Sequence, residues 1–118
     1  MGESLCIEKT VNSEDCALTL KSGDLEVLST PTVLAWMEEA SANLARKFLT
    51  LDESTVGVHV ELDHLAPAFV GDKVKIESVL KERGTKKFVF DITAKSGEKM
   101  LAKAKHVRVI VNRKRFAK

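Results

Sequence analysis

The chain has no tyrosine, one tryptophan, two prolines and two cysteines in 118 residues. Each scarcity removes a class of protein. Aromatics make up only 5% of the residues, which leaves poor stacking platforms for single-stranded nucleic acid. No recognition-helix motif compensates. Cys6 and Cys16 are too few for a disulfide scaffold and lack metal-ligand spacing, so reduced thiols and a cytoplasmic setting are the expectation. His59, His64 and His106 are scattered, with no HExxH or CxxC, so no metal site is expected. No P-loop or GxGxxG occurs. No apolar run approaches the roughly 18 residues of a membrane span. The first ten residues carry Glu3 and Glu8 without an apolar stretch and do not read as a leader. Gly2 is present, but Cys6 stands where a myristoylation pattern wants Ser or Thr.

What remains is one domain, residues 1–118, 44% hydrophobic and 31% charged, with a net charge of +2. That small net charge conceals a split. Residues 1–72 hold 4 Lys+Arg against 13 Asp+Glu, and residues 73–118 hold 15 against 4. The split fits either a basic face for a phosphate-bearing partner or two halves that neutralise each other as paired strands.

Thr30-Pro31 opens a helix: Thr suits the N-cap, and Pro suits the first helical position. Val33, Trp36, Met37, Ala40, Leu44 and Phe48 then recur at helical spacing, which predicts a helix over about 30–49. Leu34, Ala35, Ala42, Ala45 and Leu49 widen the apolar arc, so the helix reads as wrapped on most sides. Glu38 falls on this arc among Leu34, Ala42 and Ala45. A carboxylate there must find a partner, stay protonated, line a cavity or reach round to solvent.

After the helix the period becomes two. Val56, Val58, Val60 and Leu62 predict a half-buried strand, and His64 continues their inward parity. Pro67 breaks it and Gly71-Asp72 turns the chain. Val74 to Leu80, Phe88 to Ala94 and Lys99 to Val111 follow as further strands, the last apolar on both faces and so expected to be covered on both sides. Leu5, Ile7 and Ala17 to Leu20 offer one or two more. The tail, Asn112–Lys118, is basic and expected to fray. One helix cannot cover both faces of such a sheet. The economical fold is α+β, a curled antiparallel sheet around one central helix, with remaining surface buried by a second copy.

Four segments carry a family likeness. Pro67-Ala68-Phe69-Val70-Gly71-Asp72-Lys73-Val74 looks like the Pro…Gly-Asp-x-Val turn of hotdog proteins. Val27-Leu28-Ser29-Thr30-Pro31 leads into Trp36-Met37-Glu38-Glu39-Ala40. Thr55-Val56-Gly57-Val58-His59 leads into Asp63-His64-Leu65-Ala66, and His106-Val107-Arg108 follows near the end. Together they resemble the fluoroacetyl-CoA thioesterase-like branch of the hotdog thioesterases, from about Val27 to Val111.

The resemblance implies hydrolysis of an acyl-CoA to free acid and CoA, with no cofactor beyond the CoA of the substrate. It implies a homodimer with sites at the subunit interface, a tetramer being left open, and neither nucleic acid nor membrane as partner. Thr30, Glu38 and His64 match the family's catalytic residues. Glu38 would attack or activate water, and His64 would act as acid/base partner. Thr30 would contact Glu38 or the carbonyl, although an N-cap role accounts for it equally. Gly57 matches a family glycine that lets backbone approach substrate, and Arg108 a family arginine near the site. Each also has a plainer reading, as a bulge glycine and a surface strand residue. Lys73, Lys75, Lys81, Arg83, Lys86 and Lys87 are candidates for CoA's phosphates. The fluoroacetate-specific member has aromatic gating residues just before its catalytic Thr. Here Gly23 to Leu28 has none, which points to another acyl group.

Two other functions on the same fold compete. A hotdog hydratase would place an Asp and a His five residues apart, and no such pair occurs. A non-catalytic acyl-CoA binder would tend to lose the acid at the Glu38 position, which is present.

Overall fold

The structure is a computed structural model that describes residues 3–116. Readings that touch Met1, Gly2 and the last two tail residues lie outside that range. Five strands and one long helix dominate: β1 (Ser4–Thr10), a short α1 (Ala17–Leu20), α2 (Thr30–Arg46), β2 (Glu53–His64), β3 (Lys73–Arg83), β4 (Lys87–Ser96), β5 (Lys99–Asn112) and a terminal turn α3 (Arg113–Phe116). The strands form one antiparallel sheet in the order β1-β3-β4-β5-β2, curled around α2. β3, β4 and β5 are a meander, while β1 and β2 flank it as the two edges.

The core follows the helical spacing. Val33, Trp36, Met37, Ala40, Leu44 and Ala45 are buried against Val74, Ile76, Phe88, Phe90 and Leu101. Ser78 sits at an inward position of β3 and is satisfied by Ser41 of α2, oxygen to oxygen at 2.8 Å. The opposite side of α2 is less covered than expected: Leu34, Glu38 and Ala42 are half-buried and Ala35 is exposed. Within one chain the helix is therefore wrapped on one side only.

Several expectations shift. The N-cap is Ser29, not Thr30: the Thr32 N–H donates to Ser29 Oγ at 3.1 Å, and Thr30-Pro31 becomes the first helical dipeptide. The helix ends at Arg46 rather than near Leu49, because Phe48 N–H and Leu49 N–H bond three residues back and tighten the last turn. Ala17–Leu20 is a turn of helix, ended by Lys21 in the left-handed region at φ 61°. Where it is described, the tail forms a turn of helix. Asn112 Oδ1 accepts from Lys114 and Arg115 N–H and caps α3.

β2 holds the largest correction. Its register with β5 skips Val58: Gly57 is opposite Arg108, and His59 is opposite Val107. This bulge inverts the alternation. Ahead of it Thr55 and Gly57 face the helix, so Val56 faces out; beyond it the expected parity holds for Val60, Leu62 and His64. Val58 itself is 55% exposed. β5 is likewise covered on one face only within the chain, and its outer Val107, Val109 and Val111 stay half-buried.

The charge split has a structural sense. Acidic Glu61 and Asp63 of β2 lie directly opposite Lys105 and Lys103 of β5, and Glu8 of β1 opposite Lys75 of β3. Opposite charges on facing residues support strand pairing.

Candidate active site

α2 and β2 run in opposite directions, and polar groups meet at two places along them. The first lies where α2 begins and β2 ends. With Ser29 capping the helix, the Thr30 hydroxyl is free of that duty and lies 2.7 Å from His64 Nδ1. The other ring nitrogen, Nε2, is buried and has no hydrogen-bond partner among the described residues. Burial pushes the His64 pKa below its ordinary 6.5, so the ring is neutral at pH 7. A neutral imidazole with one nitrogen engaged and one idle is placed for proton transfer. Beside this pair runs a cleft of about 340 Å³ with Val27, Leu28, Leu65, Ala66 and Pro67 among its lining.

The second meeting point lies two helical turns further along. Glu38 Oε2 is 3.9 Å from Arg108 Nη1 and 4.0 Å from His106 Nε2. Gly57 makes room for it. A Cβ there would stand 2.9 Å from Glu38 Oε2, 2.9 Å from His106 Cε1 and 3.3 Å from Arg108 Nη1. No side chain larger than hydrogen fits without displacing one of them, which is the close approach that calls for glycine.

Arg108 is no surface residue. It is 9% exposed, its Nε donates to Thr55 Oγ1 at 2.9 Å, and its Nη2 donates to the Thr55 carbonyl at 3.1 Å. Burial lowers its pKa below the ordinary guanidinium value, while the charge on Glu38 raises it. His106 completes the group. Its Nδ1 is 2.9 Å from the His59 carbonyl oxygen and its Nε2 is 3.2 Å from Arg108 Nη1. Burial is the main cause of its lowered pKa, with Arg108 acting in the same direction and the His59 carbonyl and Glu38 opposing.

The five sequence-derived residues are therefore split. Thr30 joins His64, and Glu38 joins Gly57 and Arg108. Eight residues of helix separate Thr30 from Glu38, about 12 Å of rise, so within one chain the two groups do not form a single cluster. Thr55 and His106 were not singled out as site residues. The available signal was parity: His106 and Arg108 share one face of β5 with the small Ala102 and Ala104, which is unusual company for two polar side chains.

The basic candidates divide too. Lys73 and Lys75 begin β3, whereas Lys81, Arg83, Lys86 and Lys87 surround the β3–β4 turn. Phe88 is opposite both Arg83 and Arg108, so that turn lies at Glu38's end of the sheet. Arg83 lies over the Phe48 ring at 4.3 Å. Among the described residues no cluster of metal-ligating side chains occurs, and no helix is long and apolar enough to cross a membrane.

Comparison with known proteins identifies the family and the fold. The family model described as "FlK: Fluoroacetyl-CoA-specific thioesterase" matches residues 11–114. A mutant of the fluoroacetyl-CoA-specific thioesterase FlK, solved in complex with fluoroacetate and CoA, superposes with a TM-score of 0.91 at 19% identity, covering 98% of this chain and 97% of that one. A hot-dog-like protein from Thermanaerovibrio acidaminovorans gives 0.89 at 26% identity, with 98% and 85% covered. A Thermus thermophilus hypothetical protein, described as a thioesterase superfamily member, gives 0.89 at 21%, again with 98% and 85% covered. No curated protein matches by sequence.

Proposed function

Because the chain belongs to the fluoroacetyl-CoA-specific thioesterase family, a hotdog-fold family of thioester hydrolases, we propose that it hydrolyses an acyl-CoA at a site shared between two copies. The observation that carries this reading is the Glu38 carboxylate, seated against Gly57 beside Arg108 and His106. Glu38 supplies the attacking oxygen, its own or that of a water it deprotonates. Attack on the thioester carbon breaks the C–S bond and releases CoA as its thiol. Attack by water gives the free acid directly, whereas attack by Glu38's own oxygen gives a mixed anhydride that water then hydrolyses to the free acid and Glu38. His64 relays through Nε2 the proton released by the attacking water to the departing sulfur, and Thr30 holds the ring by its hydroxyl. The reaction so described needs no metal and no cofactor apart from the CoA of the substrate.

The second copy follows from edges. β2 is hydrogen-bonded to β5 on one side only, and it exposes Val58 and Val60, with Leu65 just beyond it. Two such edges pairing antiparallel about a two-fold axis would join the sheets and cover the open side of α2. Because the paired β2 strands run oppositely, the His64 end of one copy is carried alongside Gly57 and Glu38 of the other. Each dimer then holds two complete sites, each with Glu38 and Arg108 from one copy and Thr30 and His64 from its partner.

The cleft beside His64, of mixed polar and apolar lining, has room for an acyl group. The stretch before Thr30 lacks aromatic gates, so the preferred acyl group is broader than or different from fluoroacetyl. The cations at the β3–β4 turn suit CoA's phosphates. A cytoplasmic protein with neither nucleic acid nor membrane as partner is the setting consistent with such a substrate.

The test is thiol release across short, long and aromatic acyl-CoAs, run beside Glu38→Ala. The expected result is turnover of at least one ester above the buffer rate, lost in the variant. Tight acyl-CoA binding without turnover would instead identify a binding module, and loss of the double bond of crotonyl-CoA without thiol release a hydratase.

A further inference from the structure

His106 is 2% exposed, and both of its ring nitrogens have assigned neighbours. The His59 carbonyl can only accept, so Nδ1 carries the proton that meets it at 2.9 Å. Nε2 then carries a lone pair, and the atom 3.2 Å away is Arg108 Nη1, which can only donate. Thr55 takes the guanidinium by Nε and Nη2, which fixes its plane from one side. Nη1 is the nitrogen left, and it is the one nearest Glu38, at 3.9 Å. It has two hydrogens. His106 takes one, and the second has no other partner among the described residues, with the Glu38 carboxylate the nearest charge at 3.9 Å.

We propose that His106 is a positioning residue for hydrolysis, its Nε2 lone pair fixing Arg108 Nη1 beside Glu38 while its Nδ1–H ties down the β2 bulge next to Val58. This rests on the thioesterase reading of the site. It gives the neutral imidazole a task that a hydrophobic ring of the same size could not perform. A cation at His106 would have no lone pair for Nη1 and would repel the guanidinium.

Two substitutions separate the ring's two contacts. His106→Gln sets an amide oxygen near the Nε2 position and keeps an acceptor for Arg108, but gives up the Nδ1 donor. His106→Asn sets an amide nitrogen near Nδ1 and keeps the bond to His59, but leaves Nη1 without its acceptor. Both are measured for kcat and KM on the best acyl-CoA ester, with thermal melting as the check on folding. The expected result is a Gln variant within about threefold of wild-type kcat and an Asn variant slower by roughly tenfold or more, each with KM little changed. A residue that only fastens the strand would give the reverse order. Equal kcat values, or a faster Asn variant, overturn the proposal. Imidazole nitrogen shifts of the wild-type protein give a readout independent of turnover and of how the variants fold: the Nδ1–H tautomer is expected, and Nε2–H overturns the arrangement. A wild-type protein that releases no thiol from any ester overturns the thioesterase reading instead, and the tautomer still decides the fate of the His106–Arg108 contact.

Discussion

Gly57→Ala perturbs the candidate site with a single methyl group. The new carbon would stand 2.9 Å from Glu38 Oε2 and from His106 Cε1, and 3.3 Å from Arg108 Nη1. Something must yield. His106 is held at both nitrogens and Arg108 at three, but Glu38 is the end of a flexible side chain on a half-open face. The carboxylate therefore moves first, by several tenths of an ångström or to another rotamer. The held His106 ring, also at 2.9 Å, must give as well, so the stability cost falls in the middle of the overpacking range, about 2 kcal/mol. For a chain of 118 residues that lowers Tm by roughly 8 °C. The effect on turnover is much larger, since displacing a reacting group by about 1 Å costs on the order of a hundredfold. Steady-state thiol release and thermal melting measure both. Gly84→Ala is the control, because its Cβ would meet only the Lys87 carbonyl, at 3.4 Å, and it should leave kcat and Tm near wild type. A Gly57→Ala protein that melts normally and keeps kcat within about threefold would refute the reasoning, because displaced catalytic groups should cost more.

Two further outcomes follow from contacts at the start of α2 and from the two buried imidazoles. Ser29→Ala removes the N-cap and should cost about 1 kcal/mol in denaturant melts while kcat holds, whereas Thr30→Ala should lower kcat and leave stability within about 0.5 kcal/mol. Finding the stability loss at Thr30 would return the cap to that residue. His64 and His106 have pKa values below 6.5 in the folded state, chiefly from burial. Below pH 6.5 the unfolded chain binds protons that the folded chain does not, so stability falls as pH drops from 6.5 toward the folded values and is flat above. Urea midpoints at pH 7.5 and 5.5 should show that fall, and a smaller one in His106→Gln; a midpoint independent of pH would contradict it.

Periodicity made the architecture legible, and local chemistry decided what it did not. Val33 through Leu44 announce the buried face of α2, and Gly71-Asp72 announces the turn into β3, because both rest on spacing and turn preference. The inverted parity at Val56 and Val58 was hidden, since a bulge depends on which cross-strand partner is skipped, a property of β2 and β5 together. The N-cap moved by one residue because Ser29 and Thr30 are both good caps, and that single step frees the hydroxyl that meets His64. Glu38 and His64 stood out as polar residues at apolar positions. His106 belongs to a segment that carries the family likeness but does not stand out as a site residue, because its inward neighbours on β5 are alanines, which signal burial less strongly than the valines of the opposite parity. No pattern along one chain could indicate that Glu38 and His64 fall into separate clusters. That separation comes from the opposed directions of α2 and β2, and it is what calls for a second copy.

The shared site is tested most directly by mixing. Glu38→Ala and His64→Ala proteins, each inactive alone, are combined under mild dissociating conditions, returned to buffer and assayed for thiol release. If subunits exchange freely, half of the dimers are mixed, and one of the two sites in each mixed dimer has both residues intact, so about a quarter of wild-type activity should return. If Glu38 and His64 of the same chain worked together, every site would carry one defect, and mixtures with demonstrated subunit exchange would stay inactive.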